Sequence, residues 1–315
     1  MKKQRGGLFL AASFMLLLLS LPDLAGGEAG AGRFFLMGDG KIHIRNAKTG
    51  KEAKVSLLNP DGTLNEKGFT MIDRVFGFPT KELNEHISPR LIFMLDYFSD
   101  IVAPGRMINL KSGYRSPEYN SKLRDGGGNV ARTSTHIDGM ALDFTIDGVD
   151  GKKIWELITE KECCGAGHYG GDTVHLDAAR PRFWEAGTSK VRTGESDYNR
   201  RIHLSSDFDR YGTGDGMRLS LSAVSDFGFG ITRTVAFVAD PGGDPPVATA
   251  EIEHRDSPHC LMIKDRKASR FIRLSLPRDL PPGRYRVRVE FCSRPFEEMP
   301  LYTVSNEFEI TGRRR

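Results

Sequence analysis

Two imidazoles and a carboxylate recur at spacings that suit one metal ion. His136 and Asp143 lie within the run Ser134 to Phe144, and His175 lies within Asp172 to Asp177. Nitrogen and oxygen donors, three from the protein rather than four, make an open zinc site. The fourth position is left to water, whose pKa such a metal lowers toward neutrality. The chemistry implied is metal-assisted hydrolysis.

Strand alternation agrees with this ligand set. Side chains alternate between faces along a strand, so in 141–146 the apolar Leu142, Phe144 and Ile146 share one face, and Asp143 takes the other with Ala141 and Thr145. In 173–178 the same reading turns Val174, Leu176 and Ala178 toward a core and His175 outward with Thr173 and Asp177. Two neighbouring strands would then present Asp143 and His175 to one ion. A lone His or Asp beside an apolar strand is commonly a hydrogen-bonded structural residue; the three taken together point to a metal.

These residues need a scaffold, and its elements can be read along the chain. Short strands are expected at 34–37, 41–46 and 54–58, helices at 65–76 and 89–102, a strand at 107–110, and helices at 117–124 and 154–161. Ser88 is a helix N-cap with Pro89 at the first helical position, and Leu91, Met94, Leu95 and Phe98 form a core stripe. The triple glycine 126–128 lacks the flanks of a phosphate loop.

From about residue 187 the texture changes. Residues 187–197 are polar and turn-rich, and the remainder of the chain alternates without helical periodicity. In 283–291, Tyr285, Val287, Val289 and Phe291 alternate with Arg284, Arg286, Arg288 and Glu290. With segments at 217–223, 233–238, 248–254, 261–264, 271–276 and 307–310, about seven strands are expected, which suits a β-sandwich.

The first residues read as a secretory leader: Lys2, Lys3 and Arg5 precede the apolar run 8–21 and a small-residue stretch. The expected organisation is a signal peptide at 1–31, an α+β zinc domain at 32–186, a linker at 187–200 and an all-β sandwich at 201–315. The expected product is exported to the periplasm or cell envelope, with no stable membrane span once the leader is cleaved. A net charge of +4 is too small to imply a nucleic-acid partner. Four cysteines in an exported chain permit disulfides. Cys260 and Cys292, both near strands of the C-terminal part, are the favoured pair, and adjacent Cys163 and Cys164 are left reduced or unassigned because bonding them needs a strained ring.

The runs Ser112 to Asn120, Ser134 to Asp143 and Val174 to Asp177 resemble the motifs of zinc-dependent murein peptidases, in the group of D-Ala-D-Ala peptidases and hedgehog-like zinc domains, and most nearly the murein endopeptidase K type. The resemblance covers roughly residues 34–186. It implies a central antiparallel sheet and zinc held by His136, Asp143 and His175. It also implies that Arg115 polarises the scissile carbonyl or holds a substrate carboxylate, and that Ser134 contacts the peptide. Asp172, three residues before His175, is the expected general base. Asp177 and His168 are expected around the ligands, Asp177 as an orienting partner and His168 as a further candidate for the base. The activity implied is amide hydrolysis in peptidoglycan stem peptides or their cross-links. Its rivals are a D,D-carboxypeptidase on the same substrate and a non-catalytic, zinc-stabilised wall-binding protein; the partner of the sandwich is left open.

Overall fold

The computed structural model describes residues 32–128, 130–187, 197–241, 245–254 and 259–312. The leader expected at 1–31 lies outside them, as do residues 188–196 of the expected linker.

The N-terminal half runs β1 (Lys41–Asn46), β2 (Glu52–Ser56), α1 (Glu66–Phe76), α2 (Thr80–Leu83), α3 (Pro89–Val102), β3 (Ile108–Ser112), α4 (Pro117–Asp125), β4 (Ala141–Ile146), α5 (Gly151–Glu160), β5 (Gly165–His168), β6 (Val174–Asp177) and β7 (Arg182–Glu185). Local signals start the helices. The side chains of Asn65, Ser88, Ser116 and Asp150 each accept a first-turn backbone N–H, and proline follows the cap in α3 and α4. α1 stops at Gly77, which takes a left-handed conformation.

The seven strands form one sheet in the order β2-β1-β3-β4-β6-β5-β7. Its centre, β3-β4-β6-β5, is antiparallel, as the resemblance implies; β1 on β3 and β7 on β5 are parallel, so the whole sheet is mixed. Leu142, Phe144, Ile146, Val174 and Leu176 enter one core with Phe69, Leu91, Phe93, Leu95 and Phe98 from α1 and α3. The expected strand at 34–37 is absent. That segment instead gives its polar backbone to the C-terminal half: Asp209 and Arg210 donate their N–H groups to the Arg33 carbonyl at 2.7 and 3.0 Å, and Phe35 N–H donates to Asp209 at 2.9 Å.

The C-terminal half contains β8 (His203–Ser206), β9 (Arg210–Gly212), β10 (Gly216–Ser222), β11 (Phe229–Thr232), β12 (Thr234–Ala239), β13 (Ala248–Glu251), β14 (Cys260–Ile263), α6 (Arg266–Arg270), β15 (Ile272–Ser275), β16 (Gly283–Glu290), β17 (Tyr302–Val304) and β18 (Phe308–Thr311). They pair as β15-β10-β8, as β11-β14, and as β13-β12-β16-β18-β9 with β17 added on β16. A second core, around Leu219, Phe229, Phe237, Val287 and Phe308, lies among them. Each strand expected from alternation is present. Those not expected are β8 and β11, which are buried along successive residues and so show no alternation, and β9 and β17, which have three residues each.

Cys260 and Cys292 are bonded, tying β14 to the end of β16. Cys163 and Cys164, left reduced or unassigned from sequence, are bonded to each other in the turn between α5 and β5.

Candidate metal centre

Sheet register assembles the site. Across four strands, Asp143 on β4 stands opposite His175 on β6, His175 opposite Gly167 on β5, and Gly167 opposite Trp184 on β7. At the other end of this row a register shift in β3 brings Ser112 opposite Asp143. Residues directly across a sheet project from the same face. A second row, one pleat along, sets Ala141, Asp177, Gly165 and Arg182 side by side. His136 arrives from the loop between α4 and β4, held by its own turn, in which Ile137 N–H donates to Ser134 O and Met140 N–H to Thr135 O.

Three atoms converge. His136 Nε2 lies 3.3 Å from His175 Nδ1 and 3.4 Å from Asp143 Oδ1, and those two are 2.9 Å apart. Ligands held tetrahedrally at zinc distances of ~2.0–2.1 Å stand about 3.3 Å from one another, so the triangle fits that ion. All three side chains are buried.

The remaining ring nitrogens are spoken for. His136 Nδ1 lies 2.7 Å from the Gly113 carbonyl, which only accepts, so Nδ1 carries the hydrogen and Nε2 is bare. His175 Nε2 lies 2.9 Å from Asp177 and Nδ1 lies 2.9 Å from Asp143; against the cost of burial these two carboxylates push its pKa up, and a metal at Nδ1 would take the place of the proton there while Nε2–H donates to Asp177. Asp177 is fully buried; burial would raise its carboxyl pKa, but Arg182 at 2.5 Å and His175 hold it below the ordinary range, so it accepts as a carboxylate. Its other oxygen takes the N–H of Ala179 at 3.0 Å. A carboxylate behind a ligating histidine fixes tautomer and ring angle.

Burial pushes the His136 pKa down, favouring the neutral ligand form. In Asp143 the cost of burial is outweighed by the two imidazoles, which hold its carboxyl well below the usual range. Asp143 Oδ2 accepts from Arg115 Nη2 at 3.0 Å, and Arg115 Nε donates to Ser112 Oγ at 3.1 Å.

Of the other expected residues, Arg115 sits beside the cluster, with its guanidinium engaged on Asp143. Ser134 is buried, and its Oγ accepts the His136 N–H at 3.4 Å, the task of a turn cap. Asp177 is in place. Asp172 is exposed in the β5–β6 turn, with its backbone against Gly151 at the start of α5, where an added Cβ would come within 2.6 Å. Gly170 and Gly171, at φ 84° and 56°, turn the chain so that Asp172 lies on the α5 side. His168 is off the cluster, since it stands opposite core-facing Val174 and its ring is near Trp155 of α5.

Three residues not singled out from sequence complete the site. Trp184 lies against His175 with ring centroids 4.9 Å apart, Arg182 holds Asp177, and Tyr169 meets the His175 ring edge-on. The signal for them is the Gly165-Ala166-Gly167 strand. A Cβ at Gly165 would fall 2.2 Å from Asp177, and one at Gly167 would fall 2.3 Å from the Trp184 indole, so both glycines clear space for the site.

Residues 38–184 match the family model described as Peptidoglycan L,D-endopeptidase MepK. The chain is 28% identical over 144 residues to the Peptidoglycan L,D-endopeptidase MepK of Escherichia coli K12, covering 45% of this chain and 79% of that protein. It is 34% identical over 79 residues to the Probable peptidoglycan L,D-endopeptidase MepK of Haemophilus influenzae, covering 25% and 42%. A solved cohesin–dockerin complex from Clostridium thermocellum overlaps 35% of this chain and 98% of its own at 13% identity, with a TM-score of 0.17.

Proposed function

We propose that this chain, whose residues 38–184 belong with the zinc-dependent murein peptidases of the endopeptidase K type, hydrolyses amide bonds in peptidoglycan stem peptides or their cross-links. The observation that carries the reading is the triangle of His136 Nε2, Asp143 Oδ1 and His175 Nδ1, with every other nitrogen of the two rings already engaged. Zinc, when bound there, supplies Lewis acidity and makes water reactive at neutral pH.

The chain's own residues do the rest. Asp177 and the Gly113 carbonyl hold the two rings in their tautomers, and Arg115 fixes the Asp143 carboxylate through Oδ2. Trp184 screens one side of His175 from water. A proton donor at the mouth is the Tyr169 hydroxyl, on a residue 43% exposed whose ring meets His175 edge-on. Burial raises its pKa, so it keeps its proton and can donate to the oxyanion that develops on the scissile carbonyl.

Around this site the reading includes export directed by residues 1–31, a hedgehog-like zinc domain at 32–186 and a β-sandwich at 201–315, joined through 187–200. Among the described residues no helix is long and apolar enough to cross a membrane. A second reading, a zinc-stabilised wall-binding protein without turnover, draws on one observation: Asp172, the acidic residue expected as base, is exposed in the β5–β6 turn with its backbone against α5.

Incubating zinc-loaded protein with purified muropeptides and resolving the products by mass spectrometry separates the readings. Cleaved stems or cross-linked dimers, with cleavage lost on chelation, are expected. Shortened monomers with persistent dimers would mark a carboxypeptidase, and binding without any zinc-dependent cleavage would leave the non-catalytic reading.

A further inference from the structure

The loop that brings His136 to the cluster is gripped from outside its own domain. Asp138, two residues on, is buried at 4% exposure. One of its oxygens accepts the Ala223 N–H at 3.0 Å, and the other is ion-paired with Arg266 at the start of α6. Both partners belong to the C-terminal half. Gly139 follows at φ 66°, a conformation that suits glycine, and a Cβ there would fall 2.4 Å from the Phe78 ring and 3.3 Å from Arg270 Nη2. Arg270, the last residue of α6, lies over the Phe78 ring at 5.4 Å and is ion-paired with Glu85, as is Arg218 at 3.0 Å. Ahead of the loop, Arg132 pairs with Asp226 at 3.1 Å.

We propose that the C-terminal half is a positioning part of the metal centre rather than a detachable appendage: Arg266 and the Ala223 amide hold Asp138, and through it the loop that places His136 Nε2. The inference rests on the metal-centre reading of the proposed function. Its physical basis is the cost of burying a carboxylate. With Arg266 gone, Asp138 keeps one N–H and loses its ion-pair partner, while the nearby Arg270 is engaged on Glu85, so the loop is driven to shift until the carboxylate reaches water. His136, in the same turn, moves with it. The contacts of the two rings with Gly113 and Asp177 fix ring angle but not the distance between the rings, which this loop sets.

The test uses the full-length chain with Arg266→Ala, Arg266→Lys and a control at the far end of the same interface. Arg210→Ala serves as control, since Arg210 pairs with Glu309 at 3.1 Å and donates to the Gly32 and Phe34 carbonyls. Two quantities are read: amide hydrogen exchange of residues 134–140 in metal-free protein, and the zinc dissociation constant by competition with a chromophoric chelator. Arg266→Ala is expected to speed exchange in the loop and weaken zinc binding about tenfold, the size typical of a lost supporting contact. Arg266→Lys should recover most of both. Arg210→Ala should lower Tm and change neither. Unaltered exchange and zinc binding in Arg266→Ala, or equal weakening in Arg210→Ala, would overturn the proposal. Should Arg266→Ala not fold, Arg266→Gln, which keeps most of the side chain and loses the charge, carries the same expectation. Wild-type protein that binds no zinc would instead refute the metal centre on which the proposal stands.

Discussion

At the scale of single residues, the decisive detail is what each imidazole does with its second nitrogen. His175 offers Nδ1 to the cluster only because Nε2–H is held by Asp177, and Asp177 stays ionised in a fully buried place because Arg182 accompanies it. Asp177→Asn keeps the shape and discards the charge. Zinc affinity measured by chelator competition should fall 10–100-fold, the range found when such partners are lost. An unchanged affinity would mean that the tautomer is fixed by something else. Asp143 and His175 were legible because they take the outward phase of two apolar strands, whereas His136, on a loop, was legible only from its place in the motif Ser134 to Asp143. The placement of Asp172 and His168 depends on the turn at Gly170 and Gly171 and on which face of β5 His168 takes, and sequence spacing does not determine either.

At the scale of elements, the sheet makes the site by removing side chains as much as by placing them, since Gly165 and Gly167 give up their Cβ atoms to Asp177 and Trp184. The strands and helices that carry the core were legible from periodicity and caps. β8 and β11 were not, because successive buried residues leave no alternation to see, and neither were the three-residue β9 and β17. One tie between elements has a pH signature. Asp96 of α3 accepts the Gly38 and Gly40 N–H groups, both at 3.0 Å, while its Oδ1 is buried without a hydrogen-bond partner. Burial, reinforced by neighbouring Asp100, pushes its pKa up to about 6 against the pull of those N–H donors. Between about pH 4 and 6 the folded chain therefore holds a proton that the unfolded chain has released, and stability falls as pH rises through that window. The full loss above it is ~3 kcal/mol. Asp96→Asn keeps an acceptor for both N–H groups, so it should raise Tm at pH 7 and leave Tm at pH 4 nearly unchanged. A rise of the same size at both pH values would contradict this.

At the scale of the whole molecule, alternation in the sequence announced a C-terminal β region but gave no sign of how closely it meets the N-terminal half. Arg90 pairs with Asp209 at 2.7 Å and Arg218 with Glu85 at 3.0 Å, contacts between positions more than a hundred residues apart that leave no local trace. The centre is thus framed by both halves: the sheet supplies Asp143 and His175, and the loop supplying His136 is held by α6 and Ala223. The most direct measurement is anomalous diffraction at the zinc edge from crystals of the zinc-loaded, full-length protein. One zinc is expected, ~2.0–2.1 Å from His136 Nε2, Asp143 Oδ1 and His175 Nδ1. Zinc held elsewhere, or bound through the opposite nitrogen of either ring, would contradict the account.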